Sequence, residues 1–177
     1  QDWEVNGGRL QTRLGLAGIP NAAEAVMVER DLALCALTGG RLHLAHVSTR
    51  EAVRAIQEAK ARGVAVTAET APHYLTLTDE AVGEYDTHAK MYPPLRSAAD
   101  REAVIQGLAD GTLDAVASDH APHSSIEKDV EFDQAANGII GLETALGLGL
   151  KLVAEGKLSL ERLVEQKVKE VSDSQLA

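Results

Sequence analysis

Apolar residues recur along the chain in two alternating periods. Between residues 20 and 37, Ala23, Val26, Met27, Arg30, Leu34 and Leu37 fall three and four apart, with a proline near the first turn, so the stretch predicts a helix ended by Gly39-Gly40. Over residues 41–47 the period drops to two. Leu42, Leu44 and His46 then share one side of a predicted strand, with His43, Ala45 and Val47 on the other, which packs His43 against helices. Ser48-Thr49-Arg50-Glu51 has the Ser-x-x-Glu spacing of a capping box, and Val53, Ile56 and Ala59 follow on one helical face until Gly63. Residues 64–68 are a short apolar run rich in branched side chains. Strand, helix and strand within about 30 residues make a βαβ unit, a parallel pair joined by a right-handed crossover.

The same pattern returns downstream. Ser97-Ala98-Ala99-Asp100 caps a helix carrying Val104, Ile105 and Leu108; Asp110-Gly111 turns, and residues 113–117 predict a strand. A long helix over 141–154 and a capped helix over 159–165 follow. Three strand-then-helix steps define an α/β fold with a parallel sheet, either a (β/α)8 barrel or a doubly wound sheet. Two long connections, 72–96 and 119–141, begin at carboxyl ends of predicted strands, where parallel α/β folds build their binding sites. There is no tandem repeat and no low-complexity tract.

Charge narrows the partners. Of the 177 residues, 17 are Lys or Arg and 27 are Asp or Glu, a net charge of −10, which argues against nucleic acid or an anionic membrane as the main partner. The single cysteine, Cys35, excludes an internal disulfide framework and a Cys-rich zinc site, and suits a reducing cytoplasm. No apolar run reaches the roughly 18 to 20 residues of a membrane span. The opening Gln1-Asp2-Trp3-Glu4 is acidic where a signal peptide is basic, and lacks Met, so the chain reads as a piece of a longer protein.

Chemistry concentrates at Ser118-Asp119-His120-Ala121-Pro122-His123, where an apolar strand ends. An Asp there can ligate a divalent metal and take a proton from metal-bound water; as readily, it caps the strand end. His46 stands at the carboxyl end of the earlier strand. Alone it is more often a core histidine than a ligand, but with Asp119 at the same end of a parallel sheet it becomes a candidate ligand. His73 near that mouth is either a contact to the site or a packed residue, His88 reads as solvated, and His120 either orients Asp119 or makes a structural hydrogen bond. Met91-Tyr92-Pro93-Pro94-Leu95-Arg96 is stiffened by its prolines. Asn137-Gly138-Ile139-Ile140-Gly141 supplies backbone amides before a helix, for a ligand or for a simple entry turn. The chain has no GxxxxGK[ST] loop, nucleophile elbow or HExxH.

Five segments resemble, in order and spacing, the bacterial type I dihydroorotases of the amidohydrolase superfamily: His46-Val47-Ser48-Thr49, Thr67-Ala68-Glu69-Thr70-Ala71-Pro72-His73-Tyr74, Pro93-Pro94-Leu95-Arg96, the stretch from Ser118 to His123, and Gly138-Ile139-Ile140-Gly141-Leu142-Glu143-Thr144. The pair Asp119 and His123 is closer to dihydroorotase than to hydantoinase or allantoinase. The resemblance implies a partial (β/α)8 barrel of the metal-dependent hydrolase type, about three C-terminal βα units over residues 1–166. Residues 167–177 are expected to form a polar, disordered tail. It implies strands six, seven and eight ending at His46, Glu69 and Asp119, and reversible cyclisation of N-carbamoyl-L-aspartate to L-dihydroorotate in pyrimidine biosynthesis, usually with zinc, two ions per complete site. By that similarity His46 is a metal ligand, Asp119 both ligand and general acid/base, His123 a substrate contact, and Asn137 and Gly138 backbone contacts to the ring.

Three departures qualify the transfer. The family's remaining metal ligands belong to strands that would precede Gln1, so the chain alone is expected to be inactive and, with both sheet edges open, prone to self-association. Tyr92 occupies the position of a substrate-binding Asn, and a phenol lacks the amide's paired donor and acceptor. Beyond Glu165 the sequence drifts from the family's usual ending. The expected partners are the small-molecule substrate and a second copy of the chain. Alternative readings are a non-catalytic scaffold for aspartate carbamoyltransferase and another cyclic-amide hydrolase.

Overall fold

The computed structural model describes residues 4–173, with side chains described as far as residue 166. The chain opens with β1 (Val5–Asn6), α1 (Arg9–Leu14) and β2 (Gly18–Ile19), a small parallel ribbon that the hydrophobic pattern did not announce. Two-residue strands are too short for a period to register. Then come α2 (Asn21–Thr38), β3 (Leu42–Leu44), α3 (Arg50–Ala61), β4 (Val66–Thr70), the short α4 (Pro72–Thr76), α5 (Ala98–Asp110) and β5 (Ala115–Val116). The helices α6 (Ser125–Lys128), α7 (Ala145–Ala154) and α8 (Leu160–Asp173) complete it. The tail expected from Lys167 therefore lies partly in the backbone of α8 and, from residue 174, outside the described residues.

Three parallel strands in the order β3-β4-β5 form the sheet, in register Leu42 to Val66 and Glu69 to Ala115. Leu44, Val66, Ala68 and Val116 face a core shared with Ile56, Val104, Leu108 and Leu163 from the helices. Helices cover this one face. On the other, Thr67 and His43 are exposed and Glu69 is half-buried, which is the geometry of a barrel wall rather than of a doubly wound sheet. The sequence reading of β3 is corrected here: Leu42 and Leu44 turn toward the helices, while His43 lies on the opposite face with its Nδ1 2.8 Å from Thr67 Oγ1. Alternation reports that two faces exist, not which one is the core.

Helix α2 carries a similar correction. Its buried residues are Ala25, Val28, Leu32 and Cys35, whereas Val26, Met27, Leu34 and Leu37 of the expected stripe are exposed. Both rows have helical spacing, so the helix was legible and its inner face was not. The N-cap of α3 is Thr49, whose hydroxyl accepts from the Ala52 amide, rather than Ser48. Ser48 is occupied by Glu24 of α2, whose carboxylate accepts from the Ser48 and Thr49 amides at 2.9 and 3.0 Å and from both hydroxyls. Ser97 caps α5 as expected, its hydroxyl accepting from Asp100 N. Helix α7 starts at Ala145, later than expected, because the Gly141 and Leu142 amides are taken by His120 Nδ1 at 3.2 Å each.

The two long connections fold over the carboxyl ends of the strands around a second core. Val5, Tyr74, Val82, Ala89, Leu95 and Phe132 meet there, so the loops rest on packed side chains rather than on solvent. Buried Arg96 ties this layer to the first: its Nη1 donates to Ile19 O at 2.6 Å and to Asn6 Oδ1 at 3.2 Å, and its Nε to Ser48 Oγ at 3.2 Å.

Candidate active site

Strands β3, β4 and β5 deliver their carboxyl ends to one rim. Main-chain pairing continues past the strands, Val47 N to Glu69 O at 2.9 Å and Ala117 N to Thr70 O at 2.9 Å, so the residues just beyond are held in register. Two of these have left-handed backbones, His46 at φ 56° and Asp119 at φ 42°. For a residue with a Cβ that conformation costs about 1 kcal/mol or more, and it persists only where neighbours over-determine it. At His46 the twist breaks the strand's alternation. Its imidazole consequently meets Glu69, Nδ1 to Oε1 at 3.9 Å, on the face that also holds His43, whose Nε2 is 3.6 Å from Glu69 Oε2.

Asp119 meets His73 across the rim, Oδ2 to Nε2 at 3.8 Å. His73 is 4% exposed, on α4 directly after β4, with its ring edge-on to Tyr74. Burial, and secondarily the nearby His46, depress its pKa to about 4, so the imidazole is neutral near pH 7. Tyr74 is held neutral too: burial, then the charges of Glu24 and Asp119, push its phenol well above the usual range, and its hydroxyl donates to Pro93 O at 2.6 Å.

Two nitrogens at this rim, His46 Nδ1 and His73 Nε2, are buried without a hydrogen-bond partner. A buried imidazole nitrogen left unpaired is expensive, and a metal ligand in waiting is one reason it exists. His46 and Asp119 thus have the donor types and the rim position that a divalent cation takes, and His46 alone of the two has an unpaired nitrogen there. Among the described residues no three His, Cys, Asp or Glu side chains gather closely enough to hold a metal by themselves.

The remaining candidates assemble separately. His123 Nε2 donates to Asn137 O at 2.9 Å, which sets its tautomer, and Glu127 Oε1 lies 3.6 Å from Nδ1. Gly138, at φ 154°, passes so close that an added Cβ would stand 2.6 Å from Ala121 O and 2.9 Å from His123 Cδ2. The structure therefore brings His123, Asn137 and Gly138 together. Tyr92 stands off at 63% exposure, on a segment joined to them where Gly138 N donates to Lys90 O at 3.0 Å. His120 is structural, holding the amides before α7, and His88 is exposed beside Asp86. Sequence reasoning passed over Glu69, whose signal was a carboxylate inside an otherwise apolar strand, and Glu24, which carried none.

A barrel wall with ionisable side chains on αL residues at its carboxyl rim defines a class, the amidohydrolase-type (β/α)8 enzymes. Solved structures agree. The chain superimposes on the L-hydantoinase (dihydropyrimidinase) of Arthrobacter aurescens with a TM-score of 0.78 and 34% identity, covering 88% of this chain and 38% of that one. For the dihydropyrimidinase of Brevibacillus agri the TM-score is 0.76 at 32% identity, covering 81% and 33%. Within that class the chain is similar, over the stretch it spans, to dihydroorotases. It is 64% identical over 166 residues to the dihydroorotase of Desulforapulum autotrophicum, covering 94% of this chain and 39% of that protein. It is 66% identical over 160 residues to that of Syntrophobacter fumaroxidans, covering 90% and 36%. The chain spans about two fifths of the length of these relatives. No protein-family model matches it. Among the described residues no helix is long and apolar enough to cross a membrane.

Proposed function

We propose that the protein is a cytoplasmic dihydroorotase that interconverts N-carbamoyl-L-aspartate and L-dihydroorotate. The observation that carries the reading is the convergence of His46 and Asp119 on one rim, both on left-handed backbone and beside an unpaired imidazole nitrogen. His46 and Asp119 would hold zinc, two ions in the complete site; bound there, zinc polarises the amide carbonyl and acidifies water. Asp119 is the group that accepts a proton at its carboxylate and returns it to the departing ring nitrogen. Neutral His73 at 3.8 Å adds no charge to that carboxylate and helps exclude water from it. His123 and the backbone of Asn137 and Gly138 form the wall against which the substrate ring lies, and Tyr92, on the segment joined to them through Lys90, is a further contact to the substrate. The complete enzyme is a homo-oligomer in this reading.

The test is turnover of dihydroorotate by the protein as its gene encodes it, with dihydrouracil, hydantoin and allantoin in parallel. Dihydroorotate should be preferred, and Asp119→Asn should lower its turnover by about 100-fold or more. Preference for one of the other rings moves the assignment to a hydantoinase or allantoinase. Tyr92 favours a second reading, a non-catalytic partner of aspartate carbamoyltransferase, because a phenol replaces the expected amide. Zero turnover of all four rings, together with co-purification of that transferase, selects it.

A further inference from the structure

Beneath the loop that carries His123, Asn137 and Gly138 lie two lysines, Lys90 at 4% and Lys128 at 5% exposure. Lysine is seldom hidden so fully, because its ammonium must then find its hydrogen bonds inside the protein. Both ammonium groups find them on backbone carbonyls. Lys90 Nζ donates to Phe132 O at 2.6 Å and Asp133 O at 3.1 Å, and stands 5.3 Å over the Phe132 ring. Lys128 Nζ donates to Ala136 O at 2.8 Å and to Thr87 O at 3.0 Å. The Thr87 hydroxyl donates back to the Lys128 carbonyl, and the Lys90 carbonyl accepts from Gly138 N at 3.0 Å. Burial, with Lys90 as a second cause, pushes the Lys128 ammonium below its usual range.

The turn at 132–138 is thereby fixed at four of its main-chain groups, three of them to Lys90 and the fourth, Ala136 O, to Lys128, which is itself tied to Thr87. Its carbonyls at 132, 133 and 136 point inward to the ammonium groups, while Asn137 O is left for His123. Segment 87–90 leads directly to Tyr92. We propose that Lys90 and Lys128 are positioning residues that fix the His123–Asn137–Gly138 arc against Tyr92 and so set the width of the substrate pocket. The pocket half of this rests on the dihydroorotase reading; the clamping of the loop does not.

Lys90→Met and Lys128→Met, with Thr87→Val as a milder cut in the same strap, test it in the protein as its gene encodes it. Amide exchange over residues 132–138 should accelerate by about 10- to 100-fold, with α3 and α5 unchanged, as loss of a charge-assisted bond implies. KM for dihydroorotate should rise about tenfold while kcat falls less than about threefold, the signature of a displaced wall. Unchanged exchange at 132–138 overturns the proposal, and so does a fall in kcat with KM unmoved. Uniform loss of protection in all three variants marks the lysines as general stabilisers and overturns it as well. Absence of dihydroorotate turnover in the unmutated protein ends the dihydroorotase reading instead, and the exchange measurement then decides the clamp alone.

Discussion

Glu24 is the sharpest place to test how the rim is held. Its carboxylate, buried to 12% side-chain exposure, accepts from the amides and hydroxyls of Ser48 and Thr49 and faces Arg96 Nη2 at 3.7 Å. Glu24→Gln keeps the shape but exchanges one acceptor oxygen for a donor amide. Oε1 accepts three of the bonds and Oε2 the one from the Ser48 hydroxyl, so at least that last bond cannot re-form on it, and buried Arg96 loses its opposite charge. Hydrogen bonds to a charged group contribute about 1.5–3 kcal/mol each, and stranding a buried ion costs about 3–5 kcal/mol. These overlap, so the expected loss is about 3–4 kcal/mol rather than their sum. In urea that moves the unfolding midpoint down by about 1.5–2 M at a slope near 2 kcal/mol/M. Arg96→Met in the Glu24→Gln background should cost less than Arg96→Met alone. A midpoint shift under about 0.5 M, or strictly additive losses, would refute the account of Glu24 as the anchor of the segment after His46.

Three further outcomes follow from the same geometry. His73 is neutral in folded and unfolded chains above pH 6.5; below it only the unfolded chain takes the proton, so stability should fall by about 3 kcal/mol by pH 4, and His73→Gln should lose that much less over the same range. Equal pH slopes for the two proteins, read by urea unfolding, would contradict the burial argument. Gly138→Ala forces a Cβ to within 2.6 Å of Ala121 O, so turnover should drop with a stability loss of about 1–3 kcal/mol; a fully active, equally stable variant would show that the loop has room the distances deny. Leu32→Ala should cost about 2–5 kcal/mol and Leu37→Ala under about 0.5, since Leu32 is 4% and Leu37 81% exposed; thermal melts showing the reverse order would restore the face read from sequence.

What the sequence made legible was periodicity, and periodicity is a property of local backbone. Every strand of the barrel wall and the helices α2, α3 and α5 were visible because 2 and 3.6 residue spacings leave a trace in composition. The helix caps were only half visible. Ser48 and Thr49 both suit the N-cap and both hydroxyls reach Glu24; the Thr49 oxygen accepts from the Ala52 amide, whereas the Ser48 oxygen accepts from Arg96 Nε, 48 residues downstream and unreadable as a neighbour. The faces of β3 and α2 were misread for the same reason. Apolar residues occur on both sides of these elements, and only the packing partner, Ile56 or Val104, tells inside from outside.

The candidate site was legible in a different way, through residue type at strand ends rather than through period. That reasoning put His46 and Asp119 at one rim, yet for His46 it relied on alternation carried through residue 46. The alternation does not hold that far. His46 reaches the open face because its φ of 56° reverses the expected side, and a regular strand would have aimed the same imidazole into the helix-side core with Leu44. Asp119 makes the matching turn at φ 42° after β5. Two departures from strand geometry, each unfavourable by itself, occur at the two residues that a shared cation would need, and the neighbours that enforce them are the Val47–Glu69 and Ala117–Thr70 main-chain bonds. The site is therefore built by the places where the pattern stops, which is why reading the pattern alone finds its elements and misses its direction.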